Sequence, residues 1–377
     1  MRRQSVSAAL IVRNEERFLP GCLKSLCGAV DEVVVVDTGS TDATRRIAVD
    51  GGARVFDFAW CDDFSAARNH AIDLATGNWI LYIDADERLR TTGRLAPKLA
   101  DPRMIACTVR FFPRSGCTAY REHRLFRRRR EIRFEGAMHE SVTPSIARVL
   151  ASGETFIGSS EAVIEHLGYD DNQEHKRERN LRLLRKQIEK DSNRLYLWWH
   201  LGTVYHDMGR TADAEAAWRK GVRLSLSTPS RIPEDGLCFI ELAKLAMARG
   251  SDAMPVIEAG LSVQSANYLL HWLKGKALLA GGDYQAAVPI FEALAAVDAG
   301  TLIAEVSYDK RIFGAWALAE LGEFTFRMGQ YDDSERWYKW AAAEAPESLE
   351  LRIKLQLVRS RLAHVCARQN LTQVCAA

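Results

Sequence analysis

An α/β domain built on a mainly parallel sheet, followed by an all-α array of paired helices, is the architecture that the 377-residue sequence predicts. Three observations predict it. Short apolar runs alternate with helical patterns through the first ninety residues, polar side chains stand directly after three of those runs, and beyond residue 195 small and aromatic positions recur in paired helical segments.

The apolar runs read as strands at Val6–Val12, Glu32–Asp37, 53–58 and 79–84. Between the first two, Leu19, Leu23 and Leu26 recur at helical spacing, and Pro20 suits a first helical turn. A second helix is expected over 42–49 behind a Thr41 cap, and a third over 64–75 behind Asp62 or Asp63, with Gly77 just past its end. The polar clusters after strands are Arg13-Asn14-Glu15, Asp37-Thr38-Gly39-Ser40 and Asp84-Ala85-Asp86-Glu87. Ligands of open α/β sheets bind outside the carboxyl ends of the strands, so these clusters predict one active-site rim. From 104 to 166 the pattern loosens into β-like pieces at Met104–Phe112, 123–128 and 162–166, read as the acceptor side of the same domain.

A charged helix from Glu174 to Lys190 carries Leu181, Leu184 and Ile188 on one face. We therefore expect a catalytic domain over 1–168, a helical linker over 169–194 and a repeat domain over 195–377. Trp198, Leu201, Gly202, Tyr205, Gly209, Ala214 and Trp218 fit the tetratricopeptide pattern, as do Leu321, Gly322, Gly329, Tyr331, Tyr338, Ala341 and Pro346. Weaker units fall around Gly250 and around Gly275, Gly282, Tyr284 and Phe291, at a loose spacing of roughly 32 to 47 residues. Small residues in such a pattern allow close helix approach, and aromatic ones fill the gaps.

Bulk properties narrow the classes. The formal charge of +2 leaves no global field to attract nucleic acid. The local cluster Arg121, Arg124 and Arg127 to Arg130 reads either as a solvated edge or as a phosphate contact. Eight cysteines without paired spacing suit reduced thiols and a cytoplasmic protein. Arg13 to Glu16 end the first apolar run too soon for a signal peptide, and no run approaches a membrane span of about twenty residues.

Asp84 and Asp86 stand at the two-residue period that points side chains the same way in extended chain, an arrangement suited to a divalent cation bridging diphosphate oxygens. Position after a buried strand gives this short motif its weight. Taken with Ser7 to Glu16, Asp31 to Asp42, and Phe64 with Arg68-Asn69, the sequence resembles family 2 nucleotide-sugar glycosyltransferases of the GT-A fold. Phe134-Glu135-Gly136-Ala137-Met138-His139-Glu140 and Ile164-Glu165-His166-Leu167-Gly168-Tyr169, followed by a helical array, resemble a narrower bacterial branch that glucosylates peptide cysteines.

The resemblance implies an inverting transfer from a nucleotide diphosphate sugar, UDP-linked by preference, to a Cys, Ser or Thr side chain of a peptide or protein. It implies that Val12, Asn14, Glu15, Asp37, Gly39, Ser40, Arg68, Asp84, Ala85 and Asp86 line the donor site. For Asp37 a turn-capping role before Gly39 is the competing reading. Asp86, Asp84 and His166 would hold Mn2+ or Mg2+, with His139 the alternative histidine. Glu140 and His139 would be the catalytic residues, Glu140 as the base with Glu135 the alternative. The same blocks occur in transferases of lipopolysaccharide and other cell-surface glycans. The repeats are expected to bind the acceptor, a second protein or a second copy of the chain, and a second class of reading is a tetratricopeptide scaffold with a silent transferase domain.

Overall fold

A computed structural model of the chain describes residues 4–168, 174–227 and 233–374. Residues 1–3, residues 169–173 of the expected linker with Tyr169, and Cys375 lie outside them. The chain divides into two compact units, Met1–Val204 with Ile303–Ser307, and Tyr205–Leu302 with Tyr308–Ala377.

In the first unit the order is β1 (Val6–Val12), α1 (Leu19–Leu26), β2 (Glu32–Asp37), α2 (Thr44–Asp50), β3 (Arg54–Asp57), α3 (Phe64–Leu74), β4 (Trp79–Tyr82), β5 (Glu87–Arg90), β6 (Met104–Phe112), β7 (Ala119–Arg127), α4 (Thr143–Leu150), β8 (Phe156–His166) and α5 (Glu174–Lys190). The strands form one sheet in the order β3-β2-β1-β4-β7-β6-β8-β5. Its first half is parallel throughout, as β1 to β4 connected by helices require. The second half is mixed: β7 runs antiparallel to β4 and β6, β8 is parallel to β6, and β5 is antiparallel to β8. Both faces of β1 are covered. Val6, Ala8, Leu10 and Val12 pack with Leu19, Leu23 and Leu26 of α1, while Ala9 packs with Ala71 and Ile72 of α3. Burial on both faces explains a continuous apolar run in place of alternation.

Local signals hold with two refinements. Asp63 caps α3 by accepting from Ala66 N at 3.0 Å, but the carboxylate before α2 that accepts from a helix N–H is Asp42, bonded to Thr44 N, where Thr41 was expected. Gly77 serves close approach, because a Cβ there would lie 2.7 Å from Ser7 N.

The helices that follow are α6 (Leu195–Asp207), α7 (Thr211–Ser227), α8 (Leu237–Ala248), α9 (Met254–Val263), α10 (Tyr268–Ala280), α11 (Tyr284–Ala295), α12 (Ala315–Arg327), α13 (Tyr331–Glu344) and α14 (Leu349–Val374). Gly209, Gly250, Gly282 and Gly329 follow α6, α8, α10 and α12 with φ of 74°, 67°, 81° and 72°. Each turns the chain into the second helix of a pair, a left-handed geometry that a side chain resists. The long interval from Gly282 to Gly329 has a structural cause: between α11 and α12 the chain leaves the helical pattern, and Ile303–Ala304 pairs with β7 in the sheet of the first unit. Within the array, aromatic rings sit on small residues. Added Cβ atoms on Gly275 and Gly322 would lie 2.7 Å and 3.0 Å from the rings of Phe291 and Tyr338.

Gly275→Ala should accordingly destabilise the array by about 1–2 kcal/mol, overpacking against Phe291 outweighing the gain of about 1 kcal/mol in helix propensity. Urea unfolding checks this, and a more stable variant would contradict the packing.

Candidate active site

Two loops after β1 and β2 are tied together by backbone-to-side-chain bonds. Asn14, with φ of 58°, donates its N–H to Ser40 Oγ at 2.9 Å and accepts from Thr41 N at 2.8 Å through Oδ1. Glu15 N donates to Thr44 Oγ1, and Thr38 N donates to Val12 O at 3.0 Å. Buried Asp37 accepts from Ser40 N and Ser40 Oγ at 3.1 and 2.5 Å, so it does cap its own turn, in which Gly39 has φ of 106°. Val12, Asn14, Glu15, Asp37, Gly39 and Ser40 therefore form one contiguous rim at the carboxyl ends of β1 and β2.

The acidic loop between β4 and β5 sends its two aspartates to different partners. Asp84 receives Arg68 Nη2 at 2.8 Å, and the same guanidinium reaches Glu140 through Nε at 2.7 Å. Arg68 itself is buried, over the rings of Tyr82 and Phe134, with its Nη1 buried and lacking a hydrogen-bond partner. Burial pushes the Asp84 carboxyl up, but the guanidiniums of Arg68 and Arg124 outweigh it and hold the group below the ordinary carboxylate range. Asn69, next to Arg68, exchanges two hydrogen bonds with the backbone of Phe134 and thereby fixes the start of the segment that carries Glu140.

Asp86 turns instead to His166. Pairing of β5 with β8 sets Glu87 opposite His166, and Leu167 N donates to Asp86 O at 2.9 Å. His166 Nε2 lies 3.1 Å from Asp86 Oδ2, while Nδ1 lies 3.1 Å from Pro113 O. A carbonyl and a carboxylate both only accept, so in this geometry each ring nitrogen carries a proton; the Nδ1–H bond to Pro113 O would still orient the ring if Nε2 gave up its proton to a cation. Burial lowers the His166 pKa, but the bond to Asp86 outweighs it and the group sits above its ordinary value. Gly168 makes room for this pair, since a Cβ there would fall on the Asp86 carboxylate.

Among the described residues no three His, Cys, Asp or Glu side chains converge as a metal cluster. What the fold brings together from the expected set Asp84, Asp86 and His166 is a pair, Asp86 with His166, while Asp84 is held by Arg68. One carboxylate and one imidazole fit a hard divalent cation that takes its remaining oxygens from substrate phosphates. Of the two glutamates weighed as base, Glu140 reaches the Arg68–Asp84 cluster, and Glu135 pairs with exposed Arg148. The His139 ring does not join that cluster. It stacks on His200 of α6 with centroids 3.6 Å apart, and burial, then Arg194, lower its pKa to about 4.

Several contributors were not legible in the sequence. Gln187 of α5 accepts from Met138 N at 2.9 Å, and Arg194 donates to His139 O at 2.9 Å, so the helices after the sheet hold the segment bearing Glu140. Beneath the acidic loop, Glu87 forms a two-pronged ion pair with Arg124 at 2.8 and 3.0 Å, and Glu87 also accepts from Asp84 N. Burial raises the Glu87 carboxyl to about 7 despite Arg124. The arginine cluster is thus dispersed: Arg124 is buried between the Tyr82 and Phe111 rings, Arg127 bonds the carbonyls of Met104 and Asp101, and Arg129 and Arg130 are exposed. The one signal for Glu87 was its place in the Asp84-Ala85-Asp86-Glu87 block.

Residues 7–153 match the family model described as glycosyl transferase family 2. A TPR repeat-containing protein of Synechococcus elongatus is 37% identical over 234 residues, 60% of this chain and 58% of that protein. The SPbeta prophage-derived glycosyltransferase SunS of Bacillus subtilis is 31% identical over 144 residues, 36% of this chain and 34% of that protein. The chain thus spans between a third and three fifths of the length of these two relatives. Among solved structures, the mannosyltransferase PcManGT from Pyrobaculum calidifontis, in complex with GDP-Man and Mn2+, aligns at 18% identity over 75% of this chain and 87% of its own, with a TM-score of 0.41.

Breaking the pair beneath the loop should be costly. Arg124→Met leaves Glu87 buried without its cation and should lose about 3–5 kcal/mol in urea unfolding, whereas adding Glu87→Met should recover most of that loss. A loss below about 1 kcal/mol in the single variant would mean that the pair does not support the loop.

Proposed function

We propose that this chain, whose N-terminal domain belongs to glycosyl transferase family 2, is an inverting enzyme that moves a sugar from a nucleotide diphosphate sugar to a side chain of a peptide or protein. The observation that carries the reading is the gathering of Asp86 with His166, and of Arg68 with Asp84 and Glu140, beside the rim formed by the β1 and β2 loops. A UDP-linked donor and a Cys, Ser or Thr acceptor are supported by the resemblance of the 134–140 and 164–169 segments to peptide S-glycosyltransferases. The match to SunS supports the same branch.

In this reading the nucleotide lies along Val12, Asn14, Asp37 and Ser40, with Asp37 accepting from the base. Asp86 and His166 would hold a divalent cation in place of the proton they now share, and that cation when bound neutralises charge on the departing diphosphate. Arg68, always charged, offsets part of the negative charge of Asp84 and Glu140 at that end of the site. It also fixes Glu140 through Oε1, which assigns Oε2 to the acceptor. As the acceptor sulfur or oxygen attacks the anomeric carbon from the face opposite the diphosphate, Glu140 takes its proton and the glycosidic bond to the phosphate oxygen breaks. A thiol acceptor needs less from Glu140 than an alcohol does, because its pKa lies nearer neutrality.

Asp86→Ala and His166→Ala should each lower metal-dependent donor turnover by at least about a hundredfold without shifting the melting temperature by more than a few degrees. Unchanged turnover would remove the cation assignment. Glu140→Gln should lose about a hundred- to ten-thousand-fold with an alcohol acceptor while retaining donor affinity, measured by steady-state kinetics and nucleotide titration. If Glu140→Gln kept its rate and Glu135→Gln lost it, the base would be Glu135.

A further inference from the structure

His139, next to Glu140, has a φ of 52°. A residue with a side chain seldom takes this left-handed conformation unless its surroundings hold it there, and such strain gathers at functional sites. Paired backbone bonds between Glu135 and Ser141 close the segment. Inside it Gln187 fixes Met138 N and Arg194 fixes His139 O, which leaves the rotation at His139 itself to be set by its side chain. That rotation decides the direction in which Glu140 leaves the chain.

The side chain is seated on α6. Tyr196, Trp199 and His200 lie one turn apart on one face of that helix, opposite the face of Trp198, Leu201 and Gly202 that carries the repeat pattern. The His139 ring lies nearly parallel to His200, with 17° between the planes, and meets the edge of Tyr196 at 5.5 Å. Tyr196 and Trp199 each meet His200 at 4.5 Å and wedge it in place. Burial lowers the pKa of both imidazoles, so the two rings face one another uncharged. Neither Nε2 has a hydrogen-bond partner. Two stranded nitrogens cost stability, so the stack is poorly suited to strengthening the fold, and its contribution is a direction.

We propose that His200 is a positioning residue for the transfer: its ring holds His139 in the left-handed conformation and thereby aims the Glu140 carboxylate. This rests on the reading of Glu140 as the base. Arg68 anchors one carboxylate oxygen, and the stack fixes the backbone from which the side chain reaches it. His139 transmits the contact through its backbone and carries no proton in the reaction.

The test is a double-mutant cycle between His200 and Glu140 in the full chain. Hydrolysis of UDP-glucose, UDP-galactose and UDP-N-acetylglucosamine is measured with Mn2+, water standing in for the acceptor, alongside UDP titration and thermal melts. His200→Ala should lower turnover about ten- to a hundredfold while leaving UDP affinity within about twofold. In the Glu140→Gln background the same change should cost less than about twofold, because no base is left to aim. His200→Phe, which offers a flat ring without the stranded nitrogen, should keep most of the wild-type turnover and melt no lower. An equal loss in both backgrounds would make the role of His200 structural only and overturn the inference. Full turnover in His200→Ala, or a His200→Phe as slow as His200→Ala, would overturn it too. Glu140→Gln as fast as the wild type, or a wild type that hydrolyses none of the three sugars, would instead remove the reading of Glu140 as base, and the inference with it.

Discussion

The pairing of β5 with β8 is the constraint on which the candidate site depends. Residues 86 and 166 meet only because an antiparallel register sets Glu87 opposite His166 and carries the chain on to bond Leu167 N to Asp86 O. A slip of one residue would turn the imidazole to the other face of the sheet. Pro113, just past the end of β6, then orients the ring, and Gly168 leaves the carboxylate space. The buried Glu87–Arg124 pair sits under this junction and ties it to β7.

Arg68 joins the remaining parts. One guanidinium on α3 holds a carboxylate of the acidic loop and the carboxylate of the 134–140 segment, so the two segments share a single cation. Such a fork is rigid and always charged, and lysine could not reproduce it. The segment itself is held from the other side by Gln187 and Arg194, which gives the first helices after the sheet a share in positioning Glu140.

Much of this was legible in the sequence because it rests on local chemistry. Strands β1 and β2 fall where the apolar runs do, α3 begins at its Asp63 cap, and the left-handed glycines mark each helical pair. What was not legible depends on long-range register. That Asp84 and Asp86 part to different partners follows from where α3 and β8 pack, which their two-residue spacing does not encode. The arginine cluster read as one patch along the sequence, but alternate residues of a strand face opposite ways, and Arg124 pointed into the core. The long last interval of the repeat likewise comes from a segment that leaves the helical pattern to extend the sheet, an event without a local signature.

The central claim is that Asp86 and His166 form an incomplete cation site that a nucleotide diphosphate completes. Pulsed electron paramagnetic resonance of Mn2+ added to the protein tests it most directly, because directly bound imidazole nitrogen couples to the manganese spin. The account predicts little bound Mn2+ alone and, with a nucleoside diphosphate present, a bound ion coupled to one imidazole nitrogen that His166→Ala abolishes. Mn2+ bound with the nucleotide but without nitrogen coupling, or with coupling that survives His166→Ala, would contradict it.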